Sequence, residues 1–335
     1  MLVDAAERAC TVGAFSTALR IAASADARLR AAAAADPAMA LRLLAALYLS
    51  QYGLAKLDAG DLTFDRLRTL AGNDATRFAD AAARQVLSLS SRGRHREGVA
   101  LAESLLAPLG LVLPADGAWQ DAKEREMTAF LARFQTLGVS AFDALRPMQA
   151  PVPRTLMQML PGTSEAAGEI GLAHTFLAFR MLELALLHGR TPELPFALVS
   201  VFADIAWGRG DLTTARELAR AGMRMLGHYP DSIASGLVTL NYLNQIGRTF
   251  DPPAEVLAAA RRTIRVALET GDATIAAYCA FITLSLVKEI GPSLAAFRAE
   301  AELTLELANK AGSRDVAVKA RMEIRSADVL AGRTR

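Results

Sequence analysis

Apolar residues recur at helical spacing along almost the whole chain. Between Ala215 and Leu226 they fall at Leu218, Ala219, Ala221, Met223, Met225 and Leu226, with Arg216, Glu217, Arg220 and Arg224 between them. From Ala254 to Leu268, Val256, Leu257, Ala260, Ile264 and Ala267 form one stripe, and Arg261, Arg262 and Arg265 occupy the other side. A period near 3.6 with one apolar face predicts amphipathic helices that pack against neighbours. Sustained alternation of apolar and polar positions, the mark of a half-buried strand, is absent, so the expectation is an all-α fold.

The punctuation between these stripes repeats. Gly60-Asp61-Leu62-Thr63 and Gly210-Asp211-Leu212-Thr213 share one form, and Gly271-Asp272-Ala273-Thr274 is close to it. Gly13-Ala14-Phe15-Ser16 and Gly93-Arg94-His95-Arg96 are looser versions. Glycine suits the left-handed position past a helix end, and aspartate then accepts hydrogen bonds from the free amides of the next helix. These aspartates are therefore expected to be caps. Helix pairs joined by such tight turns must stack to bury their faces, which predicts degenerate tetratricopeptide-like repeats forming a curved α-solenoid. The interval from Gly60 to Gly93 lies near the roughly 34-residue period of such repeats, although later intervals do not keep it. Pro147, Pro151, Pro153 and Pro161-Gly162 are expected to interrupt the helices. They divide the chain into an N-terminal array (1–139), a Pro-interrupted connection (140–164) and a C-terminal array (165–335). A second break is expected from Tyr229-Pro230 to Pro252-Pro253.

Composition agrees with this architecture. Alanine makes up about a fifth of the 335 residues, 52% are hydrophobic and 21% charged, so the chain is expected to fold and to favour helix. A net charge of +2 with scattered basic residues leaves no stripe for neutralising phosphates, which argues against nucleic-acid binding. The run Arg92, Arg94, His95 and Arg96 around Gly93 reads as a solvated turn. Cys10 and Cys279 read as small apolar fillers in a reducing compartment. The start, Met1-Leu2-Val3-Asp4, lacks a basic-then-apolar leader pattern, and a cytoplasmic location is expected. The most apolar stretch, Ala273 to Val287, is shorter than the roughly 18–20 residues that span a bilayer, and reads as a buried helix in a soluble protein with no membrane span.

Motifs that announce chemistry are missing. None of the five lysines follows a glycine, so there is no phosphate-binding loop, and the kinase motifs and the GxSxG elbow are likewise absent. His95, His174, His188 and His228 have no His, Asp or Glu four residues away to make a two-ligand helix face. His228 and Asp231 are separated by Pro230, which works against a shared helix. His188, before Gly189, reads as a residue at a helix end. Clustered aspartates of the kind that hold magnesium do not occur. Trp119 and Trp207 are both expected to pack a core, Trp207 because it sits in the apolar run Phe202-Ala203-Asp204-Ile205-Ala206-Trp207. No catalytic, cofactor-binding or metal-ligating residue is therefore predicted, no cofactor is expected, and partner-binding residues stay unassigned.

Several phrases carry a resemblance: Ala100 to Pro114, Leu145-Arg146-Pro147-Met148, Met157-Gln158-Met159-Leu160, Met181 to Gly189, and Trp207-Gly208-Arg209-Gly210-Asp211. Over roughly residues 80 to 300 the chain resembles the tetratricopeptide-like helical region behind the ATPase module of large bacterial signalling proteins. Those ATPases are fused to serine/threonine kinase or histidine kinase modules. The resemblance implies a non-catalytic part that relays a signal and holds neighbouring modules, either detached or a fragment of a longer protein. The implied partner is a protein, an ATPase or kinase module of the same system. Two other readings stay open: an enzyme with an unadvertised site, and the ligand-sensing arm of a helical-repeat transcription activator. The latter normally carries a DNA-reading helix-turn-helix, and Ala301 to Arg335 offers no clear one.

Overall fold

A computed structural model describes residues 2–31, 36–72, 74–229 and 234–333. Among them every regular element is helical and no strand forms. Three hairpins open the chain: α1 (Leu2–Thr11) with α2 (Phe15–Ala31), α3 (Pro37–Gly53) with α4 (Leu57–Ala71), and α5 (Ala79–Ser91) with α6 (His95–Leu106). A longer α7 (Trp119–Leu137) and a single turn, α8 (Ser140–Asp143), follow. Next come α9 (Pro151–Glu169) and α10 (Thr175–His188), then α11 (Leu194–Ser200) and α12 (Leu212–Leu226). α13 (Ala234–Tyr242) runs into the short α14 (Arg248–Phe250). The chain finishes with α15 (Pro253–Glu269), α16 (Ala273–Ile290), α17 (Leu294–Ala311) and α18 (Arg314–Leu330). The predicted stripes are the buried ones: α12 buries Leu218, Ala219, Ala221 and Met225, and α15 buries Val256, Ala260 and Ala267.

Two of the Gly-Asp turns form as expected. Gly210 and Gly271 take left-handed φ values of 70° and 75°. Asp211 accepts from the Thr214 amide at 3.0 Å and Asp272 from the Ile275 amide at 3.1 Å. The third does not. Gly60 and Asp61 lie inside α4, because the chain turns earlier, with Ala55 at a φ of 53° and the helix starting at Leu57. The interval from Gly60 to Gly93 therefore joins a helix interior to a turn and measures no repeat.

The proline-rich region is also more helical than expected. Residues 144–150 run irregularly and make an isolated parallel bridge between Pro147 and Arg190, but residues 151–164 belong to α9. Pro151 sits in the first turn, where its missing N–H would have no partner anyway. Pro161 lies within the helix, and α9 is buried there on several sides, from Leu160 through Ser164. A Cβ at Gly162 would come within 3.2 Å of the Ala83 carbonyl, so this pair marks where α9 and α5 come close together. Packing outweighs the few kcal/mol that an interior proline costs. One contiguous apolar cluster runs through the region from Val3 to Leu286, Phe142, Met148, Leu156 and Met157 included. Of the second expected break, Pro230 and Asp231 lie outside the described residues, while Pro252 caps and Pro253 opens α15.

α16 extends to Ile290, three residues beyond the apolar stretch read from the sequence, and is the one helix among the described residues long and apolar enough to cross a membrane. Within the fold 61% of that stretch is buried. α15 and α17 flank it, and Ile275, Cys279, Ile282 and Leu286 join the main core.

The last hairpins return against the first. The Phe15 ring at the start of α2 lies between Gly53, at the end of α3, and Gly271, in the α15–α16 turn. Gly312, between α17 and α18, faces Leu57 at the start of α4. His95, at the start of α6, meets Asp315 in the first turn of α18. The contacts Phe15–Gly271, Leu57–Gly312 and His95–Asp315 join positions more than two hundred residues apart.

Candidate functional site

Three polar groupings lie in or beside the seam between the first and last hairpins, and a fourth feature, Trp207, is exposed.

The first grouping centres on Asp61. Its carboxylate accepts a bidentate pair from Arg92, with Nη2 to Oδ1 at 2.7 Å and Nη1 to Oδ2 at 2.9 Å. Arg94 Nη1 adds a bond at 3.0 Å and Gln85 Nε2 another at 2.7 Å. Gln85 in turn accepts from the hydroxyl of the fully buried Tyr48 at 3.0 Å. Burial by itself would raise the Asp61 pKa, but the hydrogen bonds from Arg92 and Gln85 and the Arg92 charge outweigh it and hold the group below the ordinary carboxylate value. The expectation of a solvated arginine turn is thus corrected for Arg92, whose side chain is only 12% exposed, while Arg96 does face solvent.

The second lies where α3, α5 and α16 meet. The Arg84 guanidinium stacks over the Tyr52 ring, 5.2 Å from its centroid. Asp272 is buried beside them, and that burial pushes its carboxyl up, with Arg84 and the α16 amides pulling the other way. Cys279, two turns further along α16, is held as a thiol: burial pushes its pKa up to about 12, and the Asp272 charge adds to the effect. Both cysteines are free, Cys279 buried and Cys10 half-buried.

The third gathers residues from α6, α9 and α18. Asp315 Oδ2 lies 3.2 Å from His95 Nε2, and Ser90 Oγ pairs with His95 Nδ1 at 2.9 Å. The Glu169 carboxylate completes the group, with one ligand atom from each of the three residues within 4.8 Å of the others. Deeper along the same seam Asn241 Nδ2 donates to Glu165 Oε1 at 3.2 Å, and burial raises the Glu165 carboxyl. Tyr278 stands between these acids; burial, then the charges of Glu169, Asp315 and Glu165, keep its hydroxyl protonated. The remaining histidines stay apart from the cluster of three: His188 and His228 are exposed, and His174 precedes α10 beside Glu165. Chain spacing could not reveal the grouping, since its members come from three hairpins.

Trp119 is buried as expected, edge-on to Phe176 at 5.9 Å. Trp207 is not, being 63% exposed. The reason is local. Residues Asp204–Gly208 form a π-helical turn, whose extra residue per turn rotates Trp207 out of the buried register kept by Ile205 and Ala206. The turn is tied to α7 by Lys123–Asp204 at 2.6 Å and Arg209–Glu124 at 2.8 Å. Beneath the indole, Phe202 contacts it edge-on at 6.1 Å and also packs on Phe250, over which the Arg216 guanidinium lies at 5.0 Å.

No protein-family model matches the sequence, and no curated protein shows a significant match to it.

Proposed function

We propose that this chain is a non-catalytic helical-repeat scaffold that binds a protein partner and relays a signal, with Trp207 as a principal anchor. The partner we assign is a module of the same signalling system, of the ATPase or kinase kind that the sequence resemblance implies. The observation that supports the reading is the exposed indole of Trp207. An exposed tryptophan backed by a rigid aromatic layer has the properties of an interface hot spot: large apolar area, few rotamers to immobilise, and arginine nearby to meet carboxylates.

Crosslinking and quantitative capture with the immobilised chain test this. The expected partner is a protein carrying an ATPase or kinase module. Trp207→Ala is expected to weaken its binding roughly 30-fold, about 2 kcal/mol, because truncating a hot-spot aromatic costs at least that much. Thermal unfolding should be unchanged within about 0.5 kcal/mol, since the side chain is largely outside the core. Binding that survives Trp207→Ala removes the anchor. Failure to capture any protein, together with tight uptake of a small metabolite, replaces the scaffold with a ligand sensor.

A further inference from the structure

We propose that His95, Glu169 and Asp315 form a site for a divalent cation of the zinc class, and that the bound ion staples the C-terminal hairpin α17–α18 to α6 and α9. Imidazole nitrogen and carboxylate oxygen are both ligand types that zinc takes, and three protein donors leave a fourth position open to water; manganese and cobalt accept the same donors.

Three features of the grouping carry the assignment. First, the donors come from the start of α6, the last turn of α9 and the first turn of α18, so they meet through tertiary folding and not through local helix spacing. Second, the imidazole is oriented from behind: Ser90 Oγ holds Nδ1 at 2.9 Å, which turns Nε2 toward the carboxylates. Hydrogen bonding of the distal ring nitrogen is the usual way that a metal-binding histidine is fixed. Third, Asp315 Oδ2 is shielded from solvent and lacks a directed hydrogen bond although Nε2 is only 3.2 Å away. A buried anionic oxygen with no directed donor is costly, and a cation supplies what it lacks.

The dimensions fit with a small adjustment. Donors about 2.0–2.1 Å from a tetrahedral ion lie about 3.4 Å from one another. The present spread, within 4.8 Å, needs only a rotamer change at the exposed Glu169. The neighbouring acid Glu165, which shares Tyr278 with this group, is engaged by Asn241. The proposal is independent of the scaffold reading, since it concerns what closes the fold and not what binds its outer surface.

Titration of the full-length chain, stripped with EDTA and dialysed, with zinc chloride tests it. One equivalent of Zn²⁺ is expected to bind. At about 100 times Kd the ion should raise the midpoint of thermal unfolding by about 3–5 °C, the shift that binding to the folded state alone gives a chain of this size. Co²⁺ in place of Zn²⁺ should show the intense visible absorption of a four-coordinate site. His95→Ala and Asp315→Asn should abolish the one-equivalent binding, and Ser90→Ala should weaken it about 10-fold. Glu169 is exposed, so Glu169→Gln retains the fold and keeps the test decisive if His95→Ala does not fold; it should lose the Co²⁺ spectrum and most of the thermal shift. Absence of saturable one-to-one binding overturns the proposal, as does binding that survives both His95→Ala and Glu169→Gln.

Discussion

Replacing Asp61 with alanine is expected to destabilise the protein by about 3 kcal/mol in urea unfolding. Removing one member of a buried ion pair leaves the other charge desolvated, at a cost of about 3–5 kcal/mol. Partial exposure of the pair, 24% for Asp61 and 12% for Arg92, places the value at the lower end. Arg92 would keep its Nε bond to the Ser88 carbonyl at 3.1 Å, but the nearest carboxylate left to its charge would be the exposed Asp58 at 3.9 Å. Gln85 would lose the acceptor for its amide, and with it the fixed orientation that lets it accept from Tyr48. Asp61→Asn keeps the shape and one acceptor and should cost less than Asp61→Ala. Acid should discriminate further. A carboxylate whose pKa is lowered by folding contributes stability above its unfolded value, and the contribution is lost as pH falls through the folded value. The gap between wild type and Asp61→Asn should therefore be full above about pH 5 and narrow below the ordinary value of 3.8. A gap that widened in acid, or an Asp61→Ala cost below about 1 kcal/mol, would show that the network is not holding α4 to the α5–α6 turn.

Gly271→Ala is expected to cost about 2–4 kcal/mol, from two separable sources. Its φ of 75° is a left-handed conformation that penalises a Cβ by about 1–2 kcal/mol. The added methyl would also overlap the Phe15 ring, which cannot retreat because Gly53 brackets it on the other side, with a Cβ position there only 2.6 Å from ring carbon Cγ. Overpacking of that kind costs about 1–3 kcal/mol. A double-mutant cycle separates the two. In a Phe15→Ala background the steric part vanishes and Gly271→Ala should cost only about 1–2 kcal/mol. Full additivity would mean that Phe15 does not fill the gap between the first and last hairpins, and the closure of the fold would need another explanation.

Much of the helical architecture was legible in the chain. The stripes of α12 and α15, the caps Asp211 and Asp272 and the buried character of α16 all follow from residue spacing and turn chemistry, which act over a few residues. The errors have a common origin. Gly60-Asp61 matches a turn signature, but Ala55 takes the left-handed position instead and puts Asp61 inside α4, aimed at Arg92. Pro161 should end a helix, and it does not, because α9 is buried from several sides. Trp207 belongs to an apolar run, yet a π-helical turn rotates it into solvent.

The site residues were the least legible. His95, Glu169 and Asp315 have no neighbours in sequence that would mark them as a set, and Arg92 looked like an ordinary turn residue. Asp315 reaches His95 because α18 returns to the α5–α6 hairpin, Glu169 arrives because α9 packs on α5 and α6, and Arg92 meets Asp61 where the α5–α6 turn lies against α4. Helix formation and capping are decided by interactions a few residues apart, so the sequence by itself determined the helices and most of their buried faces. Which hairpins return to which, and therefore which acids meet a histidine, depends on packing angles between helices that are far apart in the chain. Only the tertiary structure decided that.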